Sequence, residues 1–417
     1  MVLNAPNLRF PEFQGEWEEH TIGEIGNIKN GPFGSVLHAE DYVEDGMPIV
    51  TTEHFKNGSL PVSKSGIPQV SEDDYKRLKG FRLEKNDIVF SRVGSVDINA
   101  HVDNLQDGWL FSGRVLRVRP IASIDSQCFH YILSTERIKR DIRNRAVGQT
   151  MPSINTPILS NTKVYIPSSS IEQKKIAKLL SLIDERISTQ SKVIEDLKKL
   201  KCAIIEDLYC SPKQREPKRR FLEYSLPLTS YRMKDFCERI TDKNKDNKCS
   251  LVLTIAAQDG LVNQETFFNK SVASENLTGY YILHNGDFAY NRSYSSGYAW
   301  GAVKRLDKYE EGVLSTLYIC FKVNENIVNS DYLSYYFEST KWHKGVSDIS
   351  GEGARNHGLL NISVTDYFNT EHRFAPLKEQ KYIASVLNAI TLKEKEAIEL
   401  GQLYSKQKQY LLRQMFI

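Results

Sequence analysis

"SSSIEQKKIAKLLSLID" occupies residues 168–184, and "APLKEQKYIASVLNAI" occupies residues 375–390. Overlaid at an offset of 379 − 172 = 207 residues, Glu172, Gln173, Lys174, Ile176, Ala177, Leu180 and Ile183 fall on the identical Glu379, Gln380, Lys381, Ile383, Ala384, Leu387 and Ile390. Convergence of two amphipathic helices is the competing explanation. Ungapped identity at this density favours duplication, and an internal repeat constrains architecture before any local feature does.

Each copy opens a long helical pattern. From Ser170 to Cys210, Ile176, Leu180, Ile183, Ile187, Ile194, Leu197, Ile204 and Leu208 recur on alternating three- and four-residue steps, with polar gaps at 190 and 201. That spacing is a heptad seam. Ser169 and Glu172 have the spacing of a capping box, and Pro212, which has no N–H to donate, is expected to end the segment. The second pattern uses Ile383, Leu387, Ile390, Ala397, Tyr404, Leu411 and Met415. Gly401 stands where Ile194 would align, so a register shift is expected there. About 40 residues at ~1.5 Å each give helices roughly 60 Å long. Neither can bury its stripe alone, so the two are expected to pack on each other.

The preceding segments also correspond. "KNDIVFSRVG" (85–94) resembles "NGDFAYNRSY" (285–294), placing Asp87 over Asp287 and Arg92 over Arg292. "YILSTERIKR" (131–140) resembles "YYFESTKWHK" (335–344), read with Ser134–Thr135 over Ser339–Thr340. Strand-like β-branched and aromatic runs alternate with glycine turns, which predicts α+β domains. The expected divisions are a first domain at 1–166, a central long helix at 167–210, a linker at 211–221, a second domain at 222–374 and a C-terminal long helix at 375–417. "SPKQREPKRR" (211–220) carries two prolines and five basic residues and reads as an extended, solvated linker.

A chain of 417 residues exceeds one ordinary core. Its net charge of +3 confines any nucleic-acid binding to local patches. No membrane-length apolar run or signal-peptide pattern is present, and a cytoplasmic location is expected. The six cysteines show no C-x-x-C spacing and the nine histidines no H-x-x-x-H, so neither a disulfide framework nor a metal site is indicated. P-loop, nucleophile-elbow, H-E-x-x-H and Asn-Pro-Pro-aromatic patterns are missing. "GPFGS" (31–35) reads as a turn and the acidic "SEDDY" (71–75) as a solvated loop.

What remains suits binding. Basic and amide side chains sit beside glycines in "SRVGS" (91–95), "RNRAVGQT" (143–150), "NRSYSSGY" (291–298) and "SGEGARNHG" (350–358). Arginine can fork onto guanine edges or phosphates, and Asn or Gln can pair with adenine. The candidate DNA contacts are therefore Arg92, Arg143, Arg145, Gln149 and Thr150, and Arg292, Ser293, Arg355, Asn356 and His357. The bland reading is ordinary polar surface loops. An internal salt bridge in each domain would explain the Arg92–Arg292 pairing equally well. "ERIKRDIRNR" (136–145) is the densest basic stretch and suits phosphate contacts.

The opening "LRFPEFQGEWEEHTIGEIG", the two E-Q-x-x-I-A phrases and the order domain–helix–domain–helix together resemble the specificity subunit of type I restriction–modification enzymes. That resemblance implies a non-catalytic chain with two target-recognition domains, about 20–166 and 222–374, each reading half of a split double-stranded DNA sequence. It implies helices packed as an antiparallel coiled coil about a pseudo-twofold repeat, spacing the half-sites through Ile176, Leu180, Ile183, Ile187, Ile194, Leu197, Ile383, Leu387, Ile390 and Leu411. Two methyltransferase subunits would dock on these helices and bring S-adenosylmethionine chemistry. A separate restriction and motor subunit would bring ATP and Mg, leaving no cofactor in this chain. A stand-alone modification enzyme and a non-DNA coiled-coil scaffold are the rival readings. Cofactor binding by the single chain supports the first, and absence of salt-sensitive duplex binding by the assembled complex supports the second.

Overall fold

The first long helix runs Ser170–Leu208 and the second Leu377–Gln414. In the computed structural model, which describes residues 5–32, 37, 39–221, 223–224, 226–269, 276–293, 297–351 and 359–417, both carry one unbroken seam. Positions 176, 180, 183, 187, 190, 194, 197, 201, 204 and 208 are all buried or half-buried. The second helix repeats the pattern at 383, 387, 390, 394, 397, 401, 404, 408, 411 and 415. The strict four–three alternation is the 3.5-residue period of a coiled coil. The register shift expected at Gly401 does not occur. Glycine costs a helix only about 1 kcal/mol, and the seam residues on either side, Ala397 and Tyr404, hold the period.

Residues Met1–Ser191 with Glu399–Ile417 form one compact unit, and Lys192–Ile398 form the other. Each unit thus contains part of both long helices, a grouping that cuts across the expected segments. In the first unit Lys408 Nζ lies 2.6 Å from Asp184 Oδ1, and Ile176, Ala177 and Leu180 share a core with Met415 and Phe416. In the second unit Lys201 Nζ lies 2.9 Å from Glu394 Oε2, and Ile205 shares a core with Ile383, Ala384 and Leu387. Within each unit, rising numbers on one helix meet falling numbers on the other, so the helices pair antiparallel. The polar gap at 201 is a lysine paired within the seam.

The two α+β heads repeat one topology. In the first unit an antiparallel four-stranded sheet runs Gly26–Asn30, Val115–Pro120, Ile88–Ser91, Asn99–His101; in the second the order is Cys237–Arg239, Ile319–Val323, Phe288–Asn291, Ala302–Arg305. Ile88 pairs with Val118 as Phe288 pairs with Phe321. A two-stranded ribbon leads into each long helix, Glu18–Thr21 with Lys163–Ile166 and Thr229–Arg232 with Glu371–Phe374. Asp87 and Asp287 fill one role, each accepting the backbone N–H three residues earlier, from Glu84 and His284. The heads diverge elsewhere. The first adds a mixed sheet of Tyr42–Val43, Gln69–Val70, Met47–Val50 and Leu110–Phe111, and the second adds the pairs Leu253–Ala256 with Gly260–Asn263 and Tyr281–His284 with Glu311–Leu314.

The repeated Glu-Gln has a structural purpose. Glu172, 1% exposed, receives both Nε and a terminal nitrogen of Arg9 at 2.7 and 2.8 Å; Glu379 receives Arg220 at 2.9 and 2.6 Å. Gln173 accepts from Asp125 N and donates to Pro167 O, and Gln380 accepts from Asn329 N and donates to Ala375 O. The glutamine thereby ties the N-terminus of a head helix (Ser126–Leu133 or Ser330–Glu338) to the start of the long helix.

Several expectations need correction. The capping box is not reciprocal: Glu172 N reaches Ser169 Oγ only at 3.4 Å, and the carboxylate turns to Arg9. The first helix stops at Leu208, before Pro212, where Cys210 forms a β-bridge with Arg373. The linker is solvated only in part. Arg219 N donates to Asp207 O, half-buried Arg220 pairs with Glu379, and Phe221 packs edge-on to Tyr382 at 4.8 Å. "SEDDY" begins a helix, Glu72–Arg77, because Ser71 Oγ accepts Asp74 N and three carboxylates favour a helix N-terminus. The head-helix alignment moves by one residue. Thr135 and Ser339 each back-bond the carbonyl three residues earlier, and Tyr131 and Tyr335 each reach a long helix, through Asp184 and through Asn388 and Thr391. Thr135 therefore matches Ser339, and Glu136 matches Thr340. Part of "GPFGS" lies outside the described residues. Gly31 lies within them, and a Cβ there would meet Ser112 O at 1.9 Å. Among the described residues no helix is long and apolar enough to cross a membrane.

Candidate nucleic-acid interface

The strand Ile88–Ser91 ends in a loop that is sewn to a second loop far along the chain. Ile154 N donates to Arg92 O at 2.9 Å, Gly94 N donates to Pro152 O at 2.8 Å, and Val93 and Val147 both bridge to Ser153. The second unit repeats the stitch: Leu360 N donates to Arg292 O at 3.0 Å, and Ser293 bridges to Leu359. Each head therefore presents a loop pair at the same end of the same strand.

The paired arginines organise these loops. Arg92 donates to Gly113 O at 3.1 Å; Arg292 donates to Ile362 O at 3.0 Å and Leu317 O at 3.1 Å. Backbone carbonyls accept these donations. Arg143 and Arg145 are also engaged. Arg143 bonds Asp97 and Glu136, whose hydrogen bonds push its pKa above the ordinary value. Arg145 bonds Asp141, Thr162 Oγ1 and Ile158 O. A guanidinium already bonded to a carboxylate has fewer donors left for a phosphate, so the basic density of 136–145 overstates what these two offer.

Gln149 and Thr150 are different. Both are exposed at the tip of the stitched loop, between Val147 and Met151, which are 63% and 65% exposed. Gly148 shapes that tip: its φ is +103°, and a Cβ would meet Met151 O at 2.7 Å. An amide, a hydroxyl and two apolar side chains on this tip match the groups that read adenine edges and thymine methyls. In the second unit Ser293 is half-buried in its loop, with its N–H on Asn291 Oδ1. Arg355, Asn356 and His357 lie outside the described residues.

One residue escaped sequence reasoning. Arg114 is exposed beside a cleft of about 480 Å³ that is also lined by Arg92, Thr51, Thr52 and Glu53. Within "LFSGRVLRVRP" it reads as part of a strand, but the strand begins at Val115. The signal was Gly113, which breaks the run just before it.

The helix positions separate by depth. Ile176, Leu180, Ile183, Ile383 and Leu387 are buried; Ile187, Ile194, Leu197, Ile390 and Leu411 are half-buried. Ile205, assigned no seam position, is buried at 2% exposure, whereas Ile204 is half-buried. The helix there packs on Tyr209 and Tyr332 of the head core as well as on its partner helix.

Taken together, these features define a duplicated chain, one α+β head used twice, each with a stitched loop pair and each leading into a long helix. Residues 14–199 match the family described as "Type I restriction modification DNA specificity domain". Over that stretch the chain is similar to the specificity subunits of type I restriction–modification enzymes. Among curated relatives, the putative type I restriction enzyme MjaX specificity subunit of Methanocaldococcus jannaschii is 28% identical over 215 residues, 49% of this chain and 48% of the relative. The MjaVIII specificity subunit of the same organism is 24% identical over 199 residues, 46% of this chain and 45% of the relative. The chain thus spans about half the length of the curated relatives it matches. The crystal structure of a type I S subunit from M. genitalium covers 99% of both chains, with a TM-score of 0.59 at 14% identity. A structure described as underlying complex assembly and conformational transition of the type I R-M system covers 95% of this chain and 96% of that one, with a TM-score of 0.53 at 12% identity. At such identities the fold is what is shared.

Proposed function

We propose that each head reads one half of a bipartite DNA sequence and that the paired helices fix the gap between the halves and dock methyltransferase subunits. The catalysis is delegated: S-adenosylmethionine belongs to the methyltransferase subunits, and ATP and Mg to a restriction and motor subunit, in a cytoplasmic complex. The observation that carries this reading is the repeated stitch, a loop pair pinned at Arg92 in one head and at Arg292 in the other. Two copies of one reading device suit two half-sequences. A correct bidentate contact discriminates by only about 1–3 kcal/mol, so each head alone is weakly selective. Joining them adds their energies only where both halves match the span.

Co-expression with an adenine methyltransferase subunit, followed by genome-wide mapping of methyladenine, tests the proposal. The expected result is one split target. A continuous target, or methylation by the chain without a partner, defeats it.

A further inference from the structure

The repeat is broken at one place where its two copies are both fully described. In the second unit Glu206 of the first long helix accepts the N–H of Thr340 at 2.7 Å and its hydroxyl at 3.0 Å, and lies 3.1 Å from Lys341 Nζ. At the offset of 207 residues Glu206 corresponds to Arg413 on the second long helix, while Thr340 and Lys341 correspond to Glu136 and Arg137. In the first unit the carboxylate has thus been replaced by a cation. The helix Glu136–Arg145 that begins there has no side-chain cap.

What replaces the ion pair is a groove of about 650 Å³, lined by Glu136, Arg137, Lys139, Lys406, Arg413 and Ile417 among others, in which Arg137, the counterpart of Lys341, donates to Ile417 O at 2.8 Å. The side chains of Lys139, Lys406 and Arg413 have no ion-pair or hydrogen-bond partner among the described residues. Glu136 does not neutralise them, because its carboxylate is held by Arg143. Tyr410 is 52% exposed, and Phe416 with half-buried Leu412 supplies an apolar floor. Three unpaired cations around an apolar floor complement a carboxylate next to an apolar side chain. The second unit shows that a carboxylate is what this position of the repeat accommodates.

We propose that this groove is a protein-docking site that takes an Asp or Glu side chain from the methyltransferase subunit, seated where Glu206 sits in the other unit. This rests on the functional reading above and adds to it that the two units are unequal as docking surfaces, because only the first lacks a carboxylate side chain at this position of its long helix. R413E is the informative variant. It restores the second unit's arrangement from within, putting an acid beside the Glu136 N–H and Arg137, so the fold should survive with an unchanged or higher melting temperature.

Association of the full chain with the methyltransferase subunit is measured by titration calorimetry for wild type, R413E and K406A, and duplex DNA binding by the chain alone is measured beside it. The expected result is a loss of at least tenfold in association for R413E and a smaller loss for K406A. Carbodiimide coupling should also join Lys406 or Lys139 to a carboxylate of the methyltransferase subunit. Unchanged association in R413E overturns the groove and leaves the functional reading standing. Weaker DNA binding with unchanged association overturns it in favour of a phosphate contact. A wild-type chain that does not associate at all overturns both.

Discussion

Buried charge and buried imidazole set the stability of each head, and both can be tested one side chain at a time. Arg9 and Arg220 neutralise carboxylates that are almost wholly enclosed, Glu172 and Glu379. Removing one member of such a pair strands a charge and costs about 3–5 kcal/mol, whereas replacing both with apolar groups costs far less. R9M should therefore lower the unfolding free energy of the first unit by about that amount, and R9M/E172M should regain most of it in urea melts. Comparable losses from the single and double variants would sink this account. His130 and His372 are buried, one against Asn99 and the other between Tyr336 and Thr370, and burial pushes both pKa values down to about 3. Protonation then favours the unfolded chain. The stabilisation is complete above the unfolded value near 6.5 and is lost progressively as pH falls toward 3. At pH 5 each histidine should cost about 2 kcal/mol. H372N should flatten this acid sensitivity in the second unit, as followed by pH-dependent denaturation.

At the scale of elements, the heptad seams were legible because apolar period is a direct imprint of burial. Their polar members were legible only as gaps. Lys201 fills its gap by pairing with Glu394, both largely enclosed at 17% and 12% side-chain exposure. Such a pair contributes little net stability while penalising other registers. K201M/E394M should leave the melting temperature equal or higher, and K201M alone should lower it; a large loss in the double variant would count against a register role. The Arg9–Glu172 and Arg220–Glu379 anchors were in principle readable, since "RFPEF" (9–13) and "RFLEY" (220–224) repeat one pattern. The surrounding run of lysines and prolines masked the second copy as a linker. The loops proposed to contact DNA were the least legible part. Arginine density at 136–145 marked a stretch whose Arg143 and Arg145 are paired at the surface with Asp97, Glu136 and Asp141, partners remote or unremarkable in sequence. Exposure at Gln149, Thr150 and Arg114 follows from tertiary stitching that local pattern does not encode.

At the scale of the whole molecule, duplication makes separability the natural test. If each head reads its own half-sequence, Q149A or R114A should relax one base position in one half-target by about 1–3 kcal/mol and leave the other half intact. Relaxation spread over both halves would contradict independent heads. The helices carry the complementary expectation. Inserting four residues near Ser191 should alter the gap between the half-sequences and leave both sequences unchanged. An insertion in one helix also breaks the shared heptad phase, so a cleaner version adds seven residues to each, after Ser191 and after Ile398. Seven residues preserve the 3.5-residue period and lengthen each helix by about 10 Å, close to three base pairs at ~3.4 Å each. Methyladenine mapping should then show the same two half-sequences separated by about three more base pairs. Because the heads are untouched, altered half-sequences with an unchanged gap would mean that the rods do not measure. Loss of all methylation with the fold intact would point instead to partner docking as their essential task.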